Sequence, residues 1–162
     1  MNKFYRLVFI SSLINFLLVL PSFSEGFTKG KVKIPFEPKV ELKSSKIETK
    51  SKTDLMINFK VEDGAYIYKD SITVKVNEIN GIKISSPIFP KGEKKLDKFS
   101  NQEREIYHNS FIIKVPFEIS TTAKLGKLEF SSIVGYQGCS KTVCFIPQEK
   151  NLKTAFEVVK KK

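Results

Sequence analysis

The chain has 162 residues, a formal net charge of +11, 12% aromatic residues and two cysteines. Nearly all of its positive charge is lysine, because Arg6 and Arg104 are the only arginines, and the lysines are scattered along the chain. Nucleic-acid readers usually cluster arginine with exposed aromatic rings, so this composition argues against a nucleic-acid partner and favours a solvated basic surface.

The N-terminal segment has the order of a secretory signal peptide. Lys3 and Arg6 precede an apolar run of 14 residues, and small residues follow at Ser22 and Ser24. The run is shorter than the roughly 20 residues that a membrane-spanning helix needs. We therefore predict a signal peptide over residues 1–24, cleaved to give an exported protein with no stable membrane insertion. An uncleaved membrane anchor is the alternative.

The remainder is long enough for one domain with its own core. Removing the signal peptide leaves 138 residues and a net charge of +9. We read residues 25–34 as a loose leader, residues 35–159 as the domain, and residues 160–162 as a charged tail.

Apolar and polar residues then alternate with a period of two, which is typical of half-buried strands. The apolar positions are Leu55, Ile57, Phe59 and Val61; Ile72, Val74 and Val76; Phe111, Ile113, Val115 and Phe117; Leu128 and Phe130; and Phe156 and Val158. Turn signals such as "EDGA", "NEING" and "AKLGK" separate these segments, and none has a helical period with caps. Seven to nine short strands in such an arrangement predict an all-β fold, a two-sheet antiparallel β-sandwich.

One connection stands out by its length and polarity. The segment 89–105, "FPKGEKKLDKFSNQERE", is mostly polar, and the apolar residues in its middle are Leu96 and Phe99. A loop this long in a compact β domain is usually functional or disordered, and an apolar ring in it is best explained if it covers something. We therefore predict a long functional loop here.

The two cysteines, Cys139 and Cys144, enclose a short segment. A disulfide over six residues would remove only about 2 kcal/mol of chain entropy, so it is a weak staple. Zinc needs four ligands, and His108 is the only histidine, so we predict no metal site. Thiol–disulfide exchange fits better, because a second thiol close in sequence can release a mixed disulfide. Lys141 would favour the thiolate form. An inert local disulfide stays as the alternative from spacing alone.

The residues around the cysteines carry a resemblance. "YQGC" and "CFIP" flank a short spacer, "GAYIYKD" contains Tyr66 and Tyr68, and "LDKF" places Asp97 and Phe99 in the long connection. In the order in which they follow one another along the chain, these motifs resemble the N-terminal periplasmic domain of the DsbD thiol:disulfide interchange family, over residues 35–159. The spacer between the cysteines is one residue shorter than is usual in the family.

The resemblance implies an immunoglobulin-like sandwich in which the long connection is a cap loop. It implies that Phe99 covers the disulfide, that Cys144 forms mixed disulfides with partners, and that Cys139 resolves them. Asp97 would influence the protonation of the thiol, and Lys98 stands where an acidic residue is common. Four more side chains would line the site: Tyr66, Tyr68, Val143 and Phe145.

The function implied by the resemblance is periplasmic thiol–disulfide exchange. A membrane or thioredoxin-like electron donor would reduce the Cys139–Cys144 pair, which would then reduce oxidised envelope proteins, including those of cytochrome c maturation. No cofactor is expected, and we expect a monomer, acting as a free-standing shuttle if this chain is the whole product. The alternative is an immunoglobulin-like binding or structural module with an inert disulfide.

Overall fold

The computed structural model describes residues 33–97 and 100–162. Within them the chain forms twelve strands in three four-stranded sheets, and one short 3-10 helix, Lys69–Ser71. None of the helical structure in this part of the chain is long and apolar enough to cross a membrane. The predicted signal peptide and most of the predicted leader lie outside the described residues.

Two of the sheets form a sandwich. The first sheet has the order β1-β3-β9-β6, with β1 at Phe36–Leu42, β3 at Lys52–Val61, β6 at Ile82–Ile84 and β9 at Phe111–Ile119. The second sheet has the order β2-β12-β10-β5, with β2 at Lys46–Glu48, β5 at Thr73–Val76, β10 at Gly126–Tyr136 and β12 at Gln148–Val159. All pairings in the two sheets are antiparallel except that of β2 with β12.

Aromatic side chains join the two sheets in a common core. Phe117 on β9 meets Phe130 on β10 with ring centroids 4.9 Å apart, and Phe130 stacks on Phe156 of β12 at 4.8 Å. Phe59 on β3 meets Tyr136 on β10 edge to face at 5.3 Å. The predicted inward positions of β3 are all buried, and the others are buried or half-buried. The predicted all-β, two-sheet sandwich is therefore confirmed.

A third, smaller sheet contains the first cysteine, and we call it the cysteine sheet. Its order is β11-β4-β8-β7, with β4 at Tyr66–Tyr68, β7 at Glu93–Asp97, β8 at Gln102–Tyr107 and β11 at Gly138–Cys139. All three pairings within it are antiparallel.

The prediction of a long loop over residues 89–105 is wrong for most of that segment, because β7 and β8 pair there as a hairpin. The first four residues of β7, 93–96, are all exposed, so the hairpin buries no continuous apolar face. The period-two pattern that marks half-buried strands is therefore missing from the sequence.

The predicted number of strands, seven to nine, is also too low. Four of the twelve observed strands have only two or three residues: β2, β4, β6 and β11. A segment that short cannot show two full periods of alternation, so its sequence carries no strand signal of its own. Pairing with neighbouring strands defines these elements instead.

Neighbouring isoleucines on β9 test the core. Ile113 is 0% exposed and Ile112 is 46% exposed, on the outer face of the same strand. We expect Ile113→Ala to lower the free energy of unfolding by about 2–5 kcal/mol, because it leaves a cavity between the sheets. Ile112→Ala should lower it by less than about 1 kcal/mol. Urea unfolding of the two oxidised variants measures both values, and equal losses would contradict the assigned faces of β9.

Candidate functional site

The two cysteines form a disulfide that closes a tight turn. Their sulfurs are 2.02 Å apart and their Cα atoms 3.9 Å apart. Inside the turn the Ser140 amide donates to the Val143 carbonyl at 2.7 Å, and beyond it the Phe145 amide donates to the Gly138 carbonyl at 2.9 Å. These backbone bonds hold both cysteines in one short antiparallel hairpin.

The two halves of the disulfide differ in their exposure. Cys139 is 0% exposed and lies in β11, where its Cα pairs with that of Tyr66 on β4. Cys144 is half-buried, and its neighbours Val143 and Ile146 are 51% and 77% exposed. The Cys144 side of the bond is therefore the more exposed side, whereas the Cys139 side is enclosed by the cysteine sheet.

Tyr68 of β4 connects the buried sulfur to a carboxylate, and Tyr66 lies beside it. The Tyr68 hydroxyl lies 3.4 Å from the Cys139 Sγ and donates a hydrogen bond to the Asp97 Oδ1 at 2.9 Å. The Tyr66 hydroxyl lies 3.5 Å from that of Tyr68. Burial raises the pKa of Tyr68, and its hydrogen bonds to Tyr66 and Asp97 raise the pKa further. Tyr68 therefore keeps its proton at physiological pH and remains a hydrogen-bond donor beside the sulfur.

Asp97 ends β7 and is itself buried, at 5% exposure. Besides the Tyr68 hydroxyl, its carboxylate accepts hydrogen bonds from the Ser100 amide at 3.1 Å and the Ser100 hydroxyl at 2.6 Å. Several donors thus compensate this buried negative charge, as buried carboxylates require. Its position brings an acidic group within two hydrogen-bond lengths of the Cys139 sulfur.

Two cations lie over the tyrosine rings. The guanidinium carbon of Arg104 is 3.6 Å from the ring centroid of Tyr68, and the Lys95 ammonium is 4.3 Å from that of Tyr66. The Nε and Nη2 of Arg104 both donate to the Asp70 carboxylate, with the Nε to Oδ2 bond at 3.1 Å. Neither Arg104 nor Asp70 is among the site residues predicted from the sequence. The one available signal was that Arg104 is the only arginine after residue 6, which does not indicate a partner.

A glycine before Cys139 allows the close pairing of β11 with β4. A Cβ atom on Gly138 would lie 2.4 Å from the Tyr66 carbonyl oxygen and 2.9 Å from the Phe36 ring. Any side chain there would have to move β11 away from β4. No role for this glycine can be predicted from the sequence, since the requirement is visible only once β4 is in place.

The predicted site residues fall into three groups. The structure brings Tyr66, Tyr68, Asp97 and the two cysteines together, as described above. Val143 lies at the exposed rim, while Phe145 packs edge to face on Phe36, with ring centroids 5.4 Å apart, against the sandwich core. Lys98 and Phe99 lie outside the described residues, so the covering role of Phe99 stays a prediction.

Two further residues considered for the site are engaged elsewhere. The aliphatic stem of Lys141 lies beside Gly64, in the turn that precedes β4. The His108 Nδ1 lies 3.1 Å from the Glu93 carboxylate at the surface. Among residues 33–97 and 100–162, no group of three or more His, Cys, Asp or Glu side chains is arranged to hold a metal ion.

Comparison with known proteins agrees with this geometry. The family described as "Thiol:disulfide interchange protein DsbD, N-terminal" matches residues 29–155. The thiol:disulfide interchange protein DsbD of Neisseria meningitidis serogroup A is 29% identical over 92 residues, which is 56% of this chain and 14% of that protein. The match therefore spans only a small part of this much longer relative.

Solved structures support the fold. The reduced N-terminal domain of Neisseria meningitidis DsbD superposes with a TM-score of 0.55 at 22% identity, covering 76% of this chain and 86% of that one. A complex between the DsbD N-terminal and PilB N-terminal domains of the same organism gives a TM-score of 0.50 at 24% identity, covering 78% and 87%.

These likenesses confirm the predicted immunoglobulin-like sandwich. The matching family and the curated relative are both described as thiol:disulfide interchange proteins. Because that match covers most of the sequence, the chain belongs to the DsbD N-terminal domain family.

Proposed function

We propose that this protein passes reducing equivalents through the Cys139–Cys144 disulfide, from a thiol donor to oxidised proteins of the cell envelope. The asymmetry of the bond is the observation that supports this most directly. Cys144 is half-buried between the exposed apolar side chains of Val143 and Ile146, and Cys139 is fully buried beside a hydroxyl donor. A disulfide serving only as a staple has no need of such an arrangement.

In the reducing half of the cycle, a thiolate of the donor attacks the Cys144 Sγ. The bond between the two cysteines breaks, a mixed disulfide forms at Cys144, and Cys139 leaves as a thiolate. A second thiol of the donor then attacks the mixed disulfide. The donor departs with its own disulfide formed, and the two electrons it gave up remain on the two cysteines.

In the second half, the protein passes these two electrons on to the client and is itself reoxidised. The Cys144 thiolate attacks a disulfide of the client protein and forms a mixed disulfide with one of its sulfurs. Cys139 then attacks the Cys144 Sγ, which restores the internal disulfide and releases the client in its reduced form. Since Cys139 is already held within bonding distance of Cys144 by the hairpin, this resolving step needs no large movement.

The donor, the client and the compartment are parts of the same proposal. We propose a membrane or thioredoxin-like donor, and periplasmic clients such as proteins of cytochrome c maturation, reached after cleavage of the signal peptide over residues 1–24. The complex of a DsbD N-terminal domain with a PilB N-terminal domain supports recognition of a protein partner by this fold. Val143 and Ile146 offer exposed apolar contacts next to the reacting sulfur.

Trapping tests the assigned roles of the two sulfurs. We expect Cys139→Ser to accumulate mixed disulfides through Cys144 with envelope proteins, because the resolving thiol is gone. The matched variant, Cys144→Ser, keeps only the buried sulfur and should accumulate at least tenfold less. Non-reducing gels of acid-quenched cells, followed by mass spectrometry of the adducts, measure both. Equal trapping by the two variants, or none by either, would contradict the proposal.

The carboxylate near Cys139 predicts a pH effect. A nearby negative charge disfavours a thiolate, so Asp97 raises the pKa of the Cys139 thiol in the reduced protein. We expect Asp97→Asn to lower this pKa by about one unit, which extends the thiolate form toward lower pH. The measurement is the thiolate absorbance as a function of pH in a Cys144→Ser background, where Cys139 is the only thiol.

Glu103→Gln is the control for this titration. Glu103 lies on the same hairpin, and its exposed carboxylate pairs with Lys94 at 3.2 Å. The pKa of the Cys139 thiol should be unchanged in this variant. If Asp97→Asn left the pKa where it is, or raised it, the proposed influence of Asp97 on the thiol would be wrong.

A further inference from the structure

The Arg104 guanidinium lies over the ring of Tyr68, and this position suggests a role in reduction of the disulfide. We propose that the Asp70–Arg104 pair is a positioning device that holds and polarises Tyr68, so that its hydroxyl stabilises the Cys139 thiolate released when the disulfide is reduced. This inference rests on the proposed exchange function and adds a residue pair to it.

The pair fixes the ring of Tyr68 from one side. Tyr68 is the last residue of β4, and Asp70 lies two residues later in the 3-10 helix. Arg104 comes from the neighbouring strand β8, and its two bonds to Asp70 hold the guanidinium 3.6 Å from the Tyr68 ring centroid. A planar guanidinium held at two points is well suited to stacking on an aromatic face. The guanidinium therefore covers one face of the Tyr68 ring.

The chemistry of reduction creates a need for this arrangement. When a donor thiolate attacks the Cys144 Sγ, the electron pair of the S–S bond goes to Cys139, which becomes a thiolate at a buried position. Burial disfavours a charged group unless a hydrogen bond or an opposite charge compensates it. The Tyr68 hydroxyl, 3.4 Å from the Cys139 Sγ, can turn its hydrogen bond from Asp97 to this thiolate.

No atom has to leave the site in this step. The donor thiol is oxidised, the Cys139 sulfur is reduced, and the phenol proton stays on Tyr68 while its hydrogen bond changes acceptor. A cation over the ring makes the phenol a stronger donor, and its positive charge also favours the nearby thiolate. The Ser100 amide and hydroxyl still donate hydrogen bonds to the Asp97 carboxylate when the Tyr68 hydroxyl turns to the thiolate.

Among the residues that the structure describes, no other cation replaces Arg104. The titratable or charged side chains around the sulfur in this part of the chain are Tyr66 and Tyr68 on β4, Lys95 and Asp97 on β7, and Arg104 on β8. Asp97 opposes the thiolate, and Lys95 covers the more distant ring, that of Tyr66. Arg104 is thus the cation that covers the tyrosine in contact with Cys139.

The test compares Arg104→Met with Arg104→Lys. Methionine keeps much of the packing on the Tyr68 ring without the charge. Lysine keeps the charge but cannot form the two parallel hydrogen bonds to Asp70. We expect Arg104→Met to slow reduction of the disulfide by dithiothreitol by about three- to tenfold and to raise the pKa of the Cys139 thiol. Arg104→Lys should recover part of both effects. Lys94→Met, at the exposed neighbouring position of β7, should behave as the unmodified protein.

A double-mutant cycle separates positioning from simple packing. In a Tyr68→Phe background the phenol is absent, so Arg104→Met should lose most of its effect on the rate of reduction. An Arg104→Met protein that is less stable but has an unchanged thiol pKa and rate would overturn the inference. So would an effect of Arg104→Met that is equally large without the Tyr68 hydroxyl.

Failure here can be distinguished from failure of the exchange function. If Cys139→Ser still traps envelope proteins while Arg104→Met leaves the reduction rate unchanged, exchange stands and the role of the Asp70–Arg104 pair is wrong. If Cys139→Ser traps nothing, the function on which the inference rests fails, and the inference fails with it.

Discussion

The pairing of β11 with β4 is the constraint on which the rest of the site depends. It places Cys139 inside the cysteine sheet, against the Tyr68 hydroxyl, while the tight turn after it returns Cys144 to the surface. One disulfide therefore has an enclosed sulfur and an approachable one. A directed exchange reaction needs this difference, because the sulfur that receives the partner and the sulfur that later releases it have separate tasks.

The sandwich and the cysteine sheet contribute different parts of the domain. The sandwich provides a rigid aromatic core, and Phe36 and Phe145 connect that core to the cysteine hairpin through an edge-to-face contact. The cysteine sheet adds the polar groups: the tyrosines of β4, the carboxylate that ends β7, and the arginine of β8. The proposed exchange thus draws its polar groups from the cysteine sheet, while the sandwich behind it provides the hydrophobic core.

Much of this arrangement was predictable from the sequence, and the remainder has a physical reason for being hidden. The alternation through β3 and β9 predicted the sandwich, because one face of each strand is buried. The sequence predicts a loop in place of the β7–β8 hairpin, since the exposed charged residues of the hairpin leave no periodic apolar face. The grouping of Tyr66, Tyr68 and Asp97 near the cysteines came from the family resemblance, not from spacing. The Asp70–Arg104 pair could not be predicted, because it joins a 3-10 helix to a strand 34 positions away in the sequence.

The central claim is that the Cys144 sulfur is the one that meets other molecules. The most direct measurement is alkylation of the fully reduced protein with a limiting amount of iodoacetamide, followed by peptide mapping of the labelled cysteine. The account predicts that Cys144 is labelled at least about tenfold faster than Cys139, because buried thiols are inert and reactive ones are accessible. Equal labelling of the two cysteines, or faster labelling of Cys139, would contradict it.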